Sequence, residues 1–184
     1  MSRRFLRSTL GRGRLWISGL LLLASCSTAA FADAEAPQSP QDHAAVRAVV
    51  EAFRLSIIKK DKRTFRTLFY SDAIPWLGVL TAKSLATVRS HKADAPKVNE
   101  GDTPSKFIDS LAAKPDRFEE RFSNLGIDGD GDVASVHFDY SFHINGAPTN
   151  SGQELWQLIR TEAGWKINSV VYSIELNPAP QPAH

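Results

Sequence analysis

Between Val133 and Leu176 the chain alternates apolar and polar positions with unusual regularity. DVASVHFDYSFHI sets Val136, Phe138, Tyr140, Phe142 and Ile144 on one face and Ser135, His137, Asp139, Ser141 and His143 on the other. That period of two predicts a half-buried strand. GQELWQLIR and GWKINSVVYSIEL continue the pattern, with INGAPTNSG and TEAG as turn material between them, so three antiparallel strands form a meander. RFEERFSNLGI predicts a further strand. Its apolar parity shifts between Phe122 and Leu125, as a bulge near Asn124 would require. SDAIPWLGVL is a short extended segment interrupted by Pro75 and Gly78.

A sheet with one apolar face needs a cover, and the upstream sequence supplies helices. The first starts at Ser39 with Pro40 at the first helical position, and Val46, Val49, Val50, Phe53 and Ile57 make its apolar stripe. Lys59, Lys60 and Lys62 close it, and Asp61 caps a shorter helix carrying Phe65, Leu68 and Phe69. Thr103-Pro104 opens another, with Phe107, Ile108 and Leu111 on its buried side and Pro115 beyond its end. KSLATVRSHK fits a strand or a helical turn, and DAPKVNEGDT reads as loop. The expected class is α+β, a cone-shaped curved antiparallel sheet with N-terminal helices packed in its concave face. Residues 33–41 read as a Pro/Ala/Gln tether, 42–176 as the folded domain and 177–184 as a disordered tail.

Charge changes the picture at the N-terminus. The chain has 22 Lys and Arg against 20 Asp and Glu, but five arginines and no acid fall in residues 1–32. The remainder is 17 against 20, a weakly acidic body with no basic stripe for nucleic acid. Residues 1–32 instead read as an export signal, with Arg3, Arg4, Arg7, Arg12 and Arg14 ahead of the apolar run Leu15–Ala24. Leu23-Ala24-Ser25-Cys26 resembles a lipobox that would make Cys26 a lipidated first residue, whereas Ala30-Phe31-Ala32 fits ordinary signal cleavage. The expected location is periplasmic or lipid-anchored in the cell envelope, with membrane attachment only through Cys26. That cysteine is the only one, so the folded part has no disulfide.

Candidate chemistry is sparse. Asp128, Asp130 and Asp132 look like the start of a calcium loop, but Val133 stands where such a loop needs glycine and Asp139 where it needs glutamate. A hairpin turn is the better reading, and no metal or cofactor is expected. His137 and Asp139 project from the same face of one strand about 7 Å apart, the spacing of an acid/base dyad. Parity places both away from the core, facing solvent or a partner subunit, opposite the Val/Phe/Tyr face. Phe53, Trp76, Phe107, Tyr140 and Trp156 are expected to line any ligand pocket, with the Tyr140 hydroxyl or Gln157 supplying polarity. An alternative turns Tyr140 and Trp156 outward into a homodimer formed through the sheet. Glu119, Glu120 and Arg121 read as surface charge.

KKDKRTFRTLFYSDAIPWLG, IDGDGDVASVHFDYSF and ELWQLIRTEAGWKINSVVYS together resemble the nuclear transport factor 2-like superfamily, over about residues 43–176. This resemblance implies a cystatin-like roll of the kind shared by ketosteroid isomerases, scytalone dehydratase and polyketide cyclases. Phe53 falls where ketosteroid isomerases place an oxyanion-stabilising tyrosine, and Leu77 near their general-base aspartate. Phenylalanine donates no hydrogen bond and leucine abstracts no proton, so that reaction is not expected. Three functions stay open. The first is an exported domain binding a small apolar ligand or a protein partner. The second is an isomerase, dehydratase or cyclase-type enzyme, and the third a structural envelope module dimerising through its sheet.

Overall fold

The computed structural model describes residues 40–100 and 102–177, with side chains from His43. The export signal, Cys26, residues 33–39 of the tether and residues 178–184 of the tail lie outside the described residues. Asn177, assigned above to the tail, donates its backbone N–H to the Thr149 carbonyl at 3.0 Å.

Helix α1 (Pro40–Lys59) carries the expected stripe, with Val46, Val50, Phe53 and Ile57 buried. Helix α2 (Lys62–Thr67) is capped by Asp61, whose carboxylate accepts the Thr64 N–H at 3.0 Å. Strand β1 (Trp76–Leu80) follows, and then the segment with an ambiguous pattern settles as helix α3 (Ala82–His91), capped by Thr81. A two-residue strand β2 (Val98–Asn99) leads to helix α4 (Pro104–Ala112), with Thr103 as its cap. The meander is β3 (Phe118–Gly129), β4 (Val133–Ile144), β5 (Ala147–Thr161) and β6 (Gly164–Leu176).

One curved, unclosed sheet runs in the order β2-β1-β6-β5-β4-β3. Its last strand lies parallel to its first, with Trp76 opposite Val170 and Leu80 opposite Ile174. All other pairings are antiparallel. The bulge falls where parity requires it, between Ser123 and Gly126, with Asn124 in the left-handed region at φ 55°. The β4–β5 connection is shorter than expected from INGAPTNSG. Asn145 and Gly146, at φ 53° and 88°, make a two-residue turn, so Ala147 onward is already strand. The Asp128–Asp132 run is a turn as well, in which the Asp130 carboxylate accepts the N–H groups of Asp132 and Val133, both at 3.0 Å.

Helices α1, α2 and α4 fill the concave side. Phe53 is the hub, its ring centroid 4.8 Å from Trp156 and 5.0 Å from Phe65.

Candidate functional site

Helix α4 is held over the sheet by polar ties at its outer side. Asp72 accepts the Thr103 hydroxyl at 3.1 Å and the Ser105 N–H at 2.8 Å. Arg66 Nη2 donates to both carboxylate oxygens of Asp109, each at 2.8 Å, and its Nε to the Ser105 hydroxyl at 3.1 Å. With α4 so fixed, Phe107 stands off the sheet, and a cavity of about 170 Å³ remains between them. Its floor is buried and comprises Phe53, Trp76, Glu120, Tyr140 and Glu154; its half-buried rim includes Phe107, Phe142, Asn150 and Tyr172. An apolar cavity of about 150 Å³ accepts a benzene ring, so the space fits a single-ring molecule or one slightly larger.

Two carboxyl groups meet on this floor. Glu120 alternates inward with Phe118 and Phe122 along β3, and Glu154 with Trp156 and Leu158 along β5. In the ladders Glu120 lies opposite Phe142 and Glu154 opposite Phe138, so they bracket Tyr140 diagonally across β4. Only 4% of Glu120 and 3% of Glu154 is exposed. The two carboxyls hydrogen-bond to each other, and the Trp156 indole N–H donates to Glu154 Oε1 at 2.6 Å.

Burial pushes Glu120 well above the ordinary carboxyl range, and the neighbouring Glu154 charge pushes it further. Burial also raises Glu154, to about 7, while the donors on Trp156 and Glu120 hold it down. At neutral pH the pair therefore keeps at least one proton, on Glu120, with Glu154 the member that ionises. Tyr140 is pushed up, first by burial and then by the Glu154 and Glu120 charges, and its hydroxyl donates to the Ser173 carbonyl at 2.9 Å. Burial raises Tyr172 to about 12, against a hydrogen bond from Trp76.

The residues expected to form the pocket divide by face. Phe53, Trp76, Phe107 and Tyr140 line the cavity. Trp156 is fully buried beneath it and acts on it through Glu154. Tyr140 and Trp156 both point inward, so the alternative that turns them out toward a dimer partner does not hold. Gln157 is a correction: it alternates to the convex face and accepts the Ser135 hydroxyl at 3.1 Å. Leu77 also alternates away from Trp76 and the cavity.

His137 and Asp139 share the convex face, as their parity requires, so they do not reach the cavity. They line a separate hollow with Asn124, Gln153 and Leu155. Asp139 accepts the Asn124 amide at 2.6 Å, and the His137 ring lies over Gly126, where an added Cβ would be 2.2 Å away. His143, placed by parity on the same outer face, is 94% buried. It keeps that outer face, opposite Glu119 in the β3–β4 ladder, and is covered there, its Nε2 3.0 Å from the Ser141 hydroxyl and its Nδ1 3.3 Å from the Gly146 carbonyl.

The glutamate pair was missed although both signals were present. Phe118, Glu120 and Phe122 share one parity, as do Glu154, Trp156 and Leu158; Glu120 was read as surface charge because its neighbours Glu119 and Arg121 are. Glu119 and Arg121 do lie outside, paired at 2.8 Å. Among the described residues no group of three or more His, Cys, Asp or Glu is placed to hold a metal ion.

No protein-family model matches this chain, and no curated protein is significantly similar to it in sequence. Solved structures are similar in fold. A protein of unknown function from Shewanella baltica, described as NTF2-like, superposes with a TM-score of 0.52 at 18% identity, covering 77% of this chain and 100% of that one. One from Methylobacillus flagellatus gives 0.53 at 16% identity, covering 76% and 96%. An NTF2-like protein with a cystatin-like fold from Novosphingobium aromaticivorans gives 0.52 at 12%, covering 73% and 82%. At these identities the likeness is one of fold. The domain has the nuclear transport factor 2-like, cystatin-like fold.

Proposed function

We propose that this domain of nuclear transport factor 2-like fold binds a small, mainly apolar molecule, about one ring in size, in the cavity beneath α4. The molecule presents one polar group to the glutamate pair. The observation that carries this reading is the pair itself, two carboxyl groups buried against an open apolar space. Taking two carboxyls out of water costs free energy that their mutual hydrogen bond and the Trp156 N–H offset only in part, and an apolar pair of the same size would avoid that cost. A purely structural module would call for no such cavity.

The same pair favours a second reading, a proton-transferring enzyme of the isomerase, dehydratase or cyclase type. One member holds a proton and the other ionises near neutrality, which is the division of labour that acid–base catalysis requires. In that reading Glu154 is the base and Glu120 the acid, in place of His137 and Asp139.

A thermal-shift screen of the full chain against ring-sized fragments tests the ligand reading. A fragment at 100 times its Kd stabilises by about 2.7 kcal/mol and raises the melting temperature by several degrees. Asn150→Trp, which fills the rim, should abolish the shift. If no fragment shifts the wild type, or if Asn150→Trp responds like it, the cavity is not a ligand site. Where a bound fragment is also turned over, Glu120→Gln and Glu154→Gln should bind it without converting it.

The N-terminal pattern supports action outside the cytoplasm, and we place the domain in the envelope on that basis.

A further inference from the structure

We propose that the ligand of this cavity is a small organic cation, an ammonium group carried on an apolar body of about one ring. The inference rests on the reading of the cavity as a ligand site and adds the charge of what enters it.

The charge balance of the walls comes first. Glu120 reaches the cavity from β3 and Glu154 from β5, while β4 and β6 add the phenols Tyr140 and Tyr172. Helices α1 and α4 and strand β1 present only Phe53, Phe107 and Trp76. Asp102, just ahead of α4, acts on Tyr172 with the same sign. Among the described residues no Lys, Arg or His lines the space. Every ionisable group facing it is therefore neutral or negative, and the ionised pair has no countercharge of its own. A buried carboxylate left so is costly, and a ligand ammonium would supply the missing charge.

The second observation is the wall material. Six aromatic rings surround the space: Phe53, Trp76, Phe107, Tyr140, Phe142 and Tyr172. Ring faces are electronegative and attract cations, most strongly where water is excluded. An aromatic box with one carboxylate at its base is the arrangement that suits an alkylammonium head.

The third is where the donors point. The Tyr140 hydroxyl is spent on the Ser173 carbonyl and the Trp156 N–H on Glu154. The Trp76 indole bonds to Tyr172. The Asn150 amide donates to the Thr149 hydroxyl at 3.4 Å, so the acceptors along the wall are its carbonyl, the Glu154 carboxylate and the lone pairs of Tyr140, with the Tyr172 O–H the donor left beside them. An ammonium, which only donates, matches that set. A carboxylate or phosphate would meet like charge.

Isothermal titration of the full chain with three matched probes tests this: benzylamine as cation, benzyl alcohol as neutral isostere and benzoate as anion. Benzylamine should bind at least tenfold tighter than benzyl alcohol, and benzoate should give no heat of binding. Since Glu154 ionises near pH 7, benzylamine should bind about tenfold more weakly at pH 6 than at pH 8. In Glu154→Gln the preference for amine over alcohol should fall below threefold, with circular dichroism confirming a native fold. Benzyl alcohol binding as tightly as benzylamine overturns the cation proposal and leaves the ligand site standing. A preference that persists in Glu154→Gln, or that is indifferent to pH, also overturns it. If none of the probes binds while the fragment screen finds neutral ligands, the cation proposal alone falls. If that screen is empty too, both fall.

Discussion

Glu154 is held in a state that opposes folding. An unfolded glutamate ionises near pH 4.3, whereas this one keeps its proton to about 7 because burial disfavours the anion. Between those two values the folded chain binds more protons than the unfolded one, so stability falls as pH rises through that window. Below it both states are protonated and nothing is lost. A neutral amide at the same position removes the penalty. Glu154→Gln should therefore be more stable than wild type at pH 8, by on the order of 1–3 kcal/mol, and indistinguishable from it at pH 4. Urea melts at the two pH values check this, and equal stability at pH 8 would mean the carboxyl is not buried as described. A substitution that stabilises the fold while erasing turnover or the preference for an amine marks a residue retained for function.

At the scale of elements, strands β5 and β6 are drawn together where they cross the cavity. Gly152 makes that approach possible: a Cβ there would lie 2.2 Å from the Ser173 carbonyl oxygen. The same carbonyl accepts the Tyr140 hydroxyl, and the Ser173 hydroxyl accepts the Gln153 N–H at 2.9 Å. Gly152→Ala must push the strands apart, and should cost about 2 kcal/mol or more with loss of the Tyr140 bond. Gly146→Ala meets nothing within 4 Å and should cost only the positive φ, about 1 kcal/mol. Thermal melts that rank the two substitutions the other way would refute this account. Here the sequence was only partly readable. Alternation placed β4 and β6 nearly residue for residue, and the parity break in β3 located its bulge. The β4–β5 turn was overestimated because Pro148, Asn150 and Gly152 look like loop residues. Asn145-Gly146 is sufficient as a turn, and those three are tolerated in a strand that bulges beside them. Helix α3 was ambiguous because most of its face is exposed, so packing left little periodicity to read.

For the whole molecule, export is the largest expectation still to be measured. Mass spectrometry of the N-terminus of the protein recovered from its cells distinguishes the routes. A lipidated Cys26 or a start at Asp33 is the expected outcome, and an intact Met1 with residues 1–32 retained would remove the envelope assignment. The sheet is extended past the meander by β1 lying parallel to β6, which joins residues about a hundred positions apart. No local pattern announces that pairing; it follows only once the meander has a curved face for α1 and α4 to fill.

What the sequence determined by itself is the class of the fold. Hydrophobic burial acts on every residue separately, so a period of two or of 3.6 is written wherever a strand or helix has one wet side. It also placed Phe53, Trp76 and Phe107 inward and His137 and Asp139 together on one face, while Tyr140 could still turn either way. Only the tertiary structure decided that inward-facing residues from β3 and β5 meet, and that the place of meeting lies against a cavity rather than packed core. Glu120 and Glu154 are 34 positions apart and separated in the sheet by β4, so neither marks the other along the chain. Their elevated proton affinity arises from that meeting and from the loss of water around it. Those are properties of the assembled interior, and no single stretch of sequence possesses them.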